Sequence, residues 1–371
     1  MKKHILFFLF IVFILGCKDK MNDPVGLDEI PKDIPQPIYV DGIVADSISN
    51  FHLEVNTGSK SRLWIGESNS IESRILVRFA VSDSAILANA DSAKVTLSLY
   101  GTWKKGVGFN VFPLTRSWDE TTVGWKRSST DSQWSNPGGD YDTTKIASVV
   151  INESVVDFTF NCEEFSLLDT SLSENNGMIF VYDIGDTILS IYSKESTSNS
   201  LKLTVFYGDS TKDYSPVSDA FITNSTYIQG NNEIVMGEGY AMRALLLFKI
   251  DNTLPPNITI NRALLTFAFN PDNSYFDSMT VFIYRVMGEW NEDSTDYHPY
   301  SVAFFTFHKD DTTFSETDIT SLVQYWVNVG ENYGLLLRAK NENSFCSRLV
   351  LDALHKPILS VYYTPPPMSG H

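Results

Sequence analysis

Cysteine is scarce in this chain of 371 residues, which contains only Cys17, Cys162 and Cys346. Small exported domains that depend on disulfides carry far more, so the sequence excludes a disulfide framework. Cys162 and Cys346 stand at non-equivalent points of the internal repeat described below. We therefore interpret both as buried free thiols rather than as a disulfide between the two copies.

Sequence motifs of catalytic sites are also missing. The six histidines show no HExxH pattern, and there is no G-x-S-x-G, no Walker loop and no glycine-rich dinucleotide turn. Carboxylates are abundant, but no pair is singled out as the acid and base of a glycosidase or lyase. We predict that the protein is not an enzyme.

Positive charge is in short supply. Lysine and arginine number 28 against 45 aspartates and glutamates, which gives a formal net charge of −17. Proteins that bind nucleic acid need a basic surface to meet the phosphates, so this balance argues against nucleic acid as a partner. An acidic surface is typical of an exported protein that its charge keeps soluble.

Long apolar runs are limited to residues 5–15, which follow two lysines. This run is too short to cross a bilayer as a helix and has the layout of a secretory signal. It ends at Gly16-Cys17 and resembles the lipobox of bacterial lipoproteins. The resemblance implies that residues 1–16 are a signal peptide and that Cys17 carries the lipid anchor. The following KDKMND is similar to the export signal of Bacteroidota lipoproteins, so we expect a flexible tether at 17–38 and attachment to the outer membrane, facing the exterior.

Helical periodicity is nearly absent, whereas short alternating apolar segments recur along the chain. Examples are SRILVRF, KVTLSLY and TVFIYRV, each bounded by small or polar residues. This pattern is typical of antiparallel strands in a β-sandwich. In one exception, residues 318–330, apolar side chains recur at helical spacing before Gly330, which predicts a short helix that ends there.

The segment SWDETTVGW at 117–125 recurs in altered form as EWNEDSTDY at 289–297. The strand-like segments around it keep the same order, which is the mark of a duplicated unit. The sequence therefore predicts an all-β chain of two tandem antiparallel β-sandwiches, each with at most one short helix. We place these sandwiches at 39–207 and 220–363, with a linker at 208–219 and a disordered tail at 364–371.

Several motifs resemble the DNRLRE domain family, also classed as carbohydrate-binding module family 96. Copy one carries WDETTVGW, a Pro-Gly-Gly-Asp loop at 137–140 and Ser-Lys-Glu at 193–195. Copy two carries the Asp-Ile-Thr helix start at 318–320, lacks the loop and has Asn291 in place of Asp119. The resemblance implies jelly-roll-like sandwiches that bind polysaccharides such as alginate, with the departures from the family pattern falling in copy two.

Candidate ligand contacts are aromatic and cationic side chains in loops of copy one, together with two arginines on the outward face of a strand that could line a basic groove. Aromatic rings stack on sugars, and lysine or arginine binds the carboxylates of a uronic polymer. On this basis we expect a carbohydrate site formed by Trp103, Lys104, Lys105, Trp134, Tyr141, Lys145, Arg74 and Arg78. The alternative is that the loop side chains are ordinary half-buried residues and that the arginines pair with nearby carboxylates.

Trp118 and Trp125 have counterparts in copy two, so we interpret them as packing that holds a turn rather than as sugar platforms. The acidic residues near them admit two interpretations. They either accept hydrogen bonds from backbone N–H groups of the loops or ligate Ca²⁺. The Ca²⁺ ligands would be Asp119, Glu120, Asp140 and Asp142.

The sequence thus predicts a surface lipoprotein that binds polysaccharide without cleaving it. Tandem modules would add avidity through their effective concentration, and the lipid on Cys17 would supply contact with the membrane. The alternative hypothesis is a structural or adhesive protein whose sandwiches act as spacers or bind protein partners. An exposed strip of aromatic and cationic side chains on one face would distinguish a binder from a spacer.

Overall fold

A computed structural model describes residues 35–161, 168, 175–231, 233–291, 295–311, 314–352 and 356–366. The signal segment, Cys17, Cys162 and residues 367–371 of the tail lie outside the described residues. The chain is mostly β, with 51% strand and 6% helix, and its antiparallel sheets are consistent with multiple β-sandwich domains. This confirms the predicted fold class. Among the described residues, no helix has the length and apolarity that a membrane span requires.

Both sequence repeats form strands in the same order. Within its described residues, the first repeat forms β1 (Ile38–Val44), β2 (Ser47–His52), β3 (Arg62–Ser68), β4 (Ile71–Phe79), α1 (Ser84–Ala88), β5 (Ser92–Tyr100), β6 (Gly108–Pro113), β7 (Arg127–Ser129), β8 (Ser132–Gln133), β9 (Ala147–Val150), β10 (Val155–Asn161), β11 (Met178–Ile184), β12 (Thr187–Tyr192) and β13 (Lys202–Tyr207). The second forms β14 (Ser210–Tyr214), β15 (Pro216–Ser225), β16 (Ile234–Glu238), β17 (Met242–Leu247), β18 (Thr259–Ala268), β19 (Ser278–Arg285), β20 (Ala303–His308), β21 (Phe314–Asp318), α2 (Thr320–Val329), β22 (Leu335–Ala339), β23 (Ser347–Leu351) and β24 (Ile358–Thr364).

The two sandwiches share one pairing scheme. Unit two has a four-stranded sheet, β1-β24-β18-β21, a five-stranded sheet, β2-β17-β22-β19-β20, and the ribbon β16-β23. Unit one pairs its strands in the same way, as β14-β13-β5-β10 and β15-β4-β11-β6-β9. Its ribbon β3-β12 also pairs with β4 and β5 and joins the two sheets. The shared scheme supports the duplication inferred from the repeated tryptophan segment.

The opening segment of each repeat, which is its first two strands, belongs to the sandwich of the other repeat. The two strands of each segment pair with strands of different sheets rather than with each other. Strands β1 and β2 pair with β24 and β17, whereas β14 and β15 pair with β13 and β4. By strand pairing, unit one spans 62–225, and unit two combines 234–364 with 38–52. The predicted division differs because it leaves 39–52 in the first sandwich and expects a linker at 208–219, where the structure has strands. Alternation of apolar and polar residues reveals a strand but not its pairing partner, and the two opening segments occupy equivalent places in the repeat.

Each sandwich closes on its own apolar core. Alternation along β4 directs Ile75, Val77 and Phe79 into the core of unit one and Leu76 to the opposite face, as the sequence pattern predicts. The two units also touch, because the thiol of Cys346, from the second repeat, is buried in the core cluster of unit one. The interpretation of Cys346 as a buried free thiol is confirmed.

Helix α2 lies where the periodicity predicts a helix. It buries Leu322, Val323 and Trp326 against the core of unit two. It ends at Gly330, whose φ of 75° is left-handed and whose N–H donates to the carbonyl of Trp326 at 2.9 Å. Glycine adopts this conformation without the steric cost that a Cβ imposes, so the C-terminal stop follows from the residue type.

Candidate functional site

The repeated tryptophans cover the outer face of the five-stranded sheets. Trp118 and Trp125 are 4% and 8% exposed, and Trp118 Nε1 donates to the carbonyl of Asn176 at 2.9 Å. In unit two, Trp290 Nε1 donates to the carbonyl of Tyr333 at 2.7 Å, which is the equivalent bond. The interpretation of these rings as packing is therefore confirmed.

Arg74 and Arg78 lie against these tryptophans rather than in an open groove. The Arg74 guanidinium is 4.7 Å from the Trp125 ring centre, and its Nε pairs with Glu72 Oε1 at 2.7 Å. The Arg78 guanidinium is 5.6 Å from the Trp118 ring, and its Nη2 donates to Ser218 Oγ at 3.0 Å. For Arg74, the alternative of pairing with a carboxylate describes the structure better than a basic groove.

The aromatic residues predicted near the Pro-Gly-Gly-Asp loop are not open platforms. Trp134 is 4% exposed and donates Nε1 to the carbonyl of Gly124 at 2.9 Å, so it has no face free for a sugar, which corrects its prediction as a ligand contact. Tyr141 is half-buried and packs on Phe112 with ring centres 5.0 Å apart. Lys145 is exposed and reaches Asn110 Oδ1 at 3.4 Å.

The loop with Trp103, Lys104 and Lys105 keeps its cations in solvent. Both lysines are exposed, whereas Trp103 is half-buried and packs against the core of unit one. The loop therefore presents two charges beside a ring that is already partly engaged. Trp103, Lys104 and Lys105 therefore stay a prediction, and substitution of the two lysines distinguishes binding at this loop from binding on unit two.

Three of the four acidic residues predicted to bind Ca²⁺ instead stabilise their own loops. Asp119 and Asp142 accept from the backbone N–H two residues ahead, at 2.8 and 2.7 Å, and these bonds lower the pKa of both carboxyls. Asp140 accepts from two backbone N–H groups at 2.8 Å each and pairs with Arg116 Nε at 2.8 Å. Burial alone would raise the pKa of Asp140, but these donors hold it below its usual value. Of the four, only Glu120 lies in a cluster of acidic side chains within the described part of the chain.

An exposed strip of aromatic and cationic side chains lies on unit two, on the outer face of the sheet β2-β17-β22-β19-β20. Cross-strand pairing places Arg338 beside Phe282 and Phe282 beside Phe304. The next row brings Lys340 beside Thr280 and Thr306, whose hydroxyl oxygens are 2.9 Å apart. We call these six residues the aromatic–cation strip.

The aromatic part of the strip is open to solvent. Phe304 is 61% exposed, although it lies within strand β20. Its ring meets Phe282 edge to face, with centres 6.1 Å apart at 89°. Aromatic pairs prefer this arrangement, and it holds the Phe304 ring upright on the sheet. The strip thus offers an apolar ring face that the described residues leave open to solvent.

A buried carboxylate positions the arginine of the strip together with a neighbouring arginine. Buried Glu342 accepts from Arg243 Nε and Nη2 at 2.7 and 2.8 Å and from Arg338 Nε at 2.8 Å. Lys340 directly follows β22, and its N–H donates to the Thr280 carbonyl at 2.8 Å, so the strand register continues to this exposed residue. The strip therefore carries two cations, Arg338 and Lys340, on a protein that is acidic overall.

Unit one lacks this strip at the equivalent positions. The row equivalent to Arg338, Phe282 and Phe304 contains Val181, Asn110 and Ser148. The next row contains Gly108 and Val150. The equivalent paired positions thus carry aromatic, cationic and threonine residues in one unit and Val, Asn, Ser and Gly in the other, so the residues of the strip are not a requirement of the fold.

The strip was not among the sequence-predicted contacts, because its aromatic rings belong to apolar strand segments that are typical of a core. Phe304 stands in the apolar run VAFFTF, where consecutive phenylalanines point to opposite faces of the strand. Phe305 is buried in the core and Phe304 is exposed. The available signal was the register of the duplication, which assigns the positions of Phe282 and Phe304 to the face opposite the core.

No family model matches the chain, and neither does any curated protein, so the resemblance to the DNRLRE family remains a prediction. Among solved structures, the chain is weakly similar to the tandem CBM22-1–CBM22-2 domains of Paenibacillus barcinonensis Xyn10C, with 9% identity, a TM-score of 0.15 and coverage of 87% of this chain and 98% of that one. It is also weakly similar to the tandem CBM51 modules of the family 98 glycoside hydrolase Sp3GH98 from Streptococcus pneumoniae SP3-BS71, with 8% identity, a TM-score of 0.15 and coverage of 88% of each chain. At these TM-scores no residue can be carried over from either structure.

Proposed function

We propose that the protein is a surface-anchored lipoprotein that binds an acidic polysaccharide without cleaving it. The observation that carries the proposal is the aromatic–cation strip of unit two. The Phe304 ring offers an apolar face to the C–H groups of a sugar ring, and Arg338 and Lys340 lie where they would meet carboxylates. The two threonine hydroxyls donate to or accept from sugar hydroxyls. The anchor rests on the lipobox-like segment that ends at Cys17, outside the described residues.

An extended polymer suits the strip better than a small ligand does. The strip follows a sheet face rather than a closed cavity, so a chain of sugars can lie across neighbouring strands, which are about 4.8 Å apart. Its local positive charge favours uronic or sulfated sugars over neutral ones. An overall acidic surface around it would repel the polymer elsewhere and confine binding to this face.

Affinity electrophoresis of the soluble protein, residues 18–371, tests the proposal. Gels would contain alginate, polygalacturonate, xylan or β-glucan. We expect at least one acidic polymer to retard the protein, and Arg338→Gln with Lys340→Gln to abolish this. The matched control, Lys104→Gln with Lys105→Gln, removes the same charge from unit one and should leave retardation intact.

Two results would contradict the proposal. Equal loss of retardation in the control variant would show a general charge effect or a site in unit one. No retardation of the unaltered protein by any polymer would favour the alternative of a spacer or adhesin with protein partners.

A further inference from the structure

A cluster of three carboxylates lies where three distant segments of unit one meet. Glu120 is on the turn that follows Trp118, Glu195 is on the loop between β12 and β13, and Asp219 is on β15. One carboxylate oxygen from each lies within 4.8 Å of the others. Since β15 comes from the second repeat, the cluster lies where the opening segment of that repeat joins unit one.

Asp219 is the unusual member of the cluster. It is fully buried, at 0% exposure, and its Oδ2 accepts from the Lys194 N–H at 2.7 Å. Its Oδ1 is buried and has no hydrogen-bond partner among the described residues. An oxygen of a carboxylate that is removed from water without a partner is costly, so it calls for a proton or a cation, and burial raises the pKa of Asp219 to about 8.

The charges of the cluster do not balance. Three carboxylates face one cation, the Lys194 ammonium, which is 2.8 Å from Glu120 Oε1 and 2.7 Å from Glu195 Oε1. When all three carboxyls are ionised, the excess of two negative charges equals the charge of one divalent ion. The Lys194 side chain is 21% exposed, so its long stem can carry the ammonium outward into water.

We propose that Glu120, Glu195 and Asp219 form a Ca²⁺ site that fastens β15 to unit one. Carboxylate oxygens suit hard cations, and Ca²⁺ accepts irregular geometry with six to eight oxygens. Exposed Glu195 leaves one side open, so water completes the coordination. The site uses Glu120, which the sequence predicts as a ligand, but with two partners that sequence spacing does not reveal.

Thermal unfolding of the metal-stripped protein, residues 18–371, tests the site. We expect Ca²⁺ at about 100 times its dissociation constant to raise the melting temperature by about 5 °C, and Mg²⁺ to do less. Asp219→Asn and, separately, Glu195→Gln should remove the response. Asp213→Asn, which changes an exposed acidic residue on the neighbouring strand β14, should retain the response to Ca²⁺.

Lys194→Gln separates a metal site from a mere ion-pair network. If Ca²⁺ competes with the ammonium, this variant should bind Ca²⁺ about tenfold more tightly, as measured by calorimetric titration. The proposal is overturned if neither the unaltered protein nor Lys194→Gln responds to millimolar Ca²⁺. It is equally overturned if Asp219→Asn and Glu195→Gln both keep the full response. Either failure leaves the glycan proposal untouched, because that strip lies on unit two.

Discussion

Phe51 offers a sharp test of the exchange of opening segments between the two sandwiches. It lies on β2, near the N-terminal end of the described chain, yet its ring packs with Leu245, Tyr284 and Leu336 of unit two. It is 8% exposed, and its backbone pairs with Arg243. We predict that Phe51→Ala destabilises unit two and leaves the sheets of unit one intact.

The size of the effect follows from the burial of the ring. Transfer of a phenylalanine side chain from water contributes about 1.5–3 kcal/mol, and truncation to alanine in a core costs about 3–5 kcal/mol once the cavity is included. For a domain of this size, 1 kcal/mol lowers the melting temperature by roughly 2–4 °C. Unit two should therefore melt on the order of 10 °C lower.

Hydrogen exchange with mass spectrometry assigns the loss to a unit. Amide protection should fall in β17 and β22, while β4 and β11, the equivalent strands of unit one, should keep theirs. Val44→Ala is the matched control, because Val44 lies on β1 of the same opening segment but is 48% exposed. It should change the free energy of unfolding by no more than about 0.5 kcal/mol. Loss of protection in β4 and β11 instead would show that β2 packs on unit one and would refute the exchange.

Two further predictions concern the strip and a buried acid. Phe304→Ala should weaken polymer binding about tenfold, because a sugar that covers one face of the ring removes roughly 60 Å² from water, which is worth about 1.5 kcal/mol. Phe314→Ala removes a similarly exposed ring from β21 and should leave the titrated affinity unchanged. Equal losses of affinity in the two variants would contradict the assignment of the site to the strip. Burial raises the pKa of Glu238 to about 7 from 4.5, so its contribution to stability is present below about pH 4.5 and is lost as the pH rises through 7. Denaturant unfolding should show that the unaltered protein loses on the order of 3 kcal/mol between these limits relative to Glu238→Gln. Parallel pH curves for the two proteins would contradict this.

The sequence was sufficient for features that a local pattern encodes. Period-two alternation along β4 predicts which side chains enter the core, and the spacing before Gly330 predicts where α2 ends. The echo of Trp118 in Trp290 predicts equivalent packing, which the matching indole hydrogen bonds confirm. The first two features depend on residues that are close along the chain, whereas the tryptophan packing follows from the repeat.

Features that depend on distant partners could not be predicted in this way. The opening segments β1-β2 and β14-β15 are equivalent, so no local sequence feature decides which sandwich each one completes. Trp134 lies in a polar loop sequence, yet the fold brings it under the neighbouring tryptophans. Glu120 and Asp219 come from different repeats and meet only because β15 joins unit one, so spacing along the chain does not predict their cluster.

Hydroxyl-radical footprinting with an acidic polymer tests the central claim most directly. Oxidation of exposed aromatic rings would be compared with and without saturating polymer by mass spectrometry. We predict that Phe304 is protected, whereas Phe314, exposed on the other sheet of unit two, and Tyr141, half-buried in unit one, oxidise at unchanged rates. Protection that spares Phe304, or that appears on unit one alone, would contradict binding at the aromatic–cation strip.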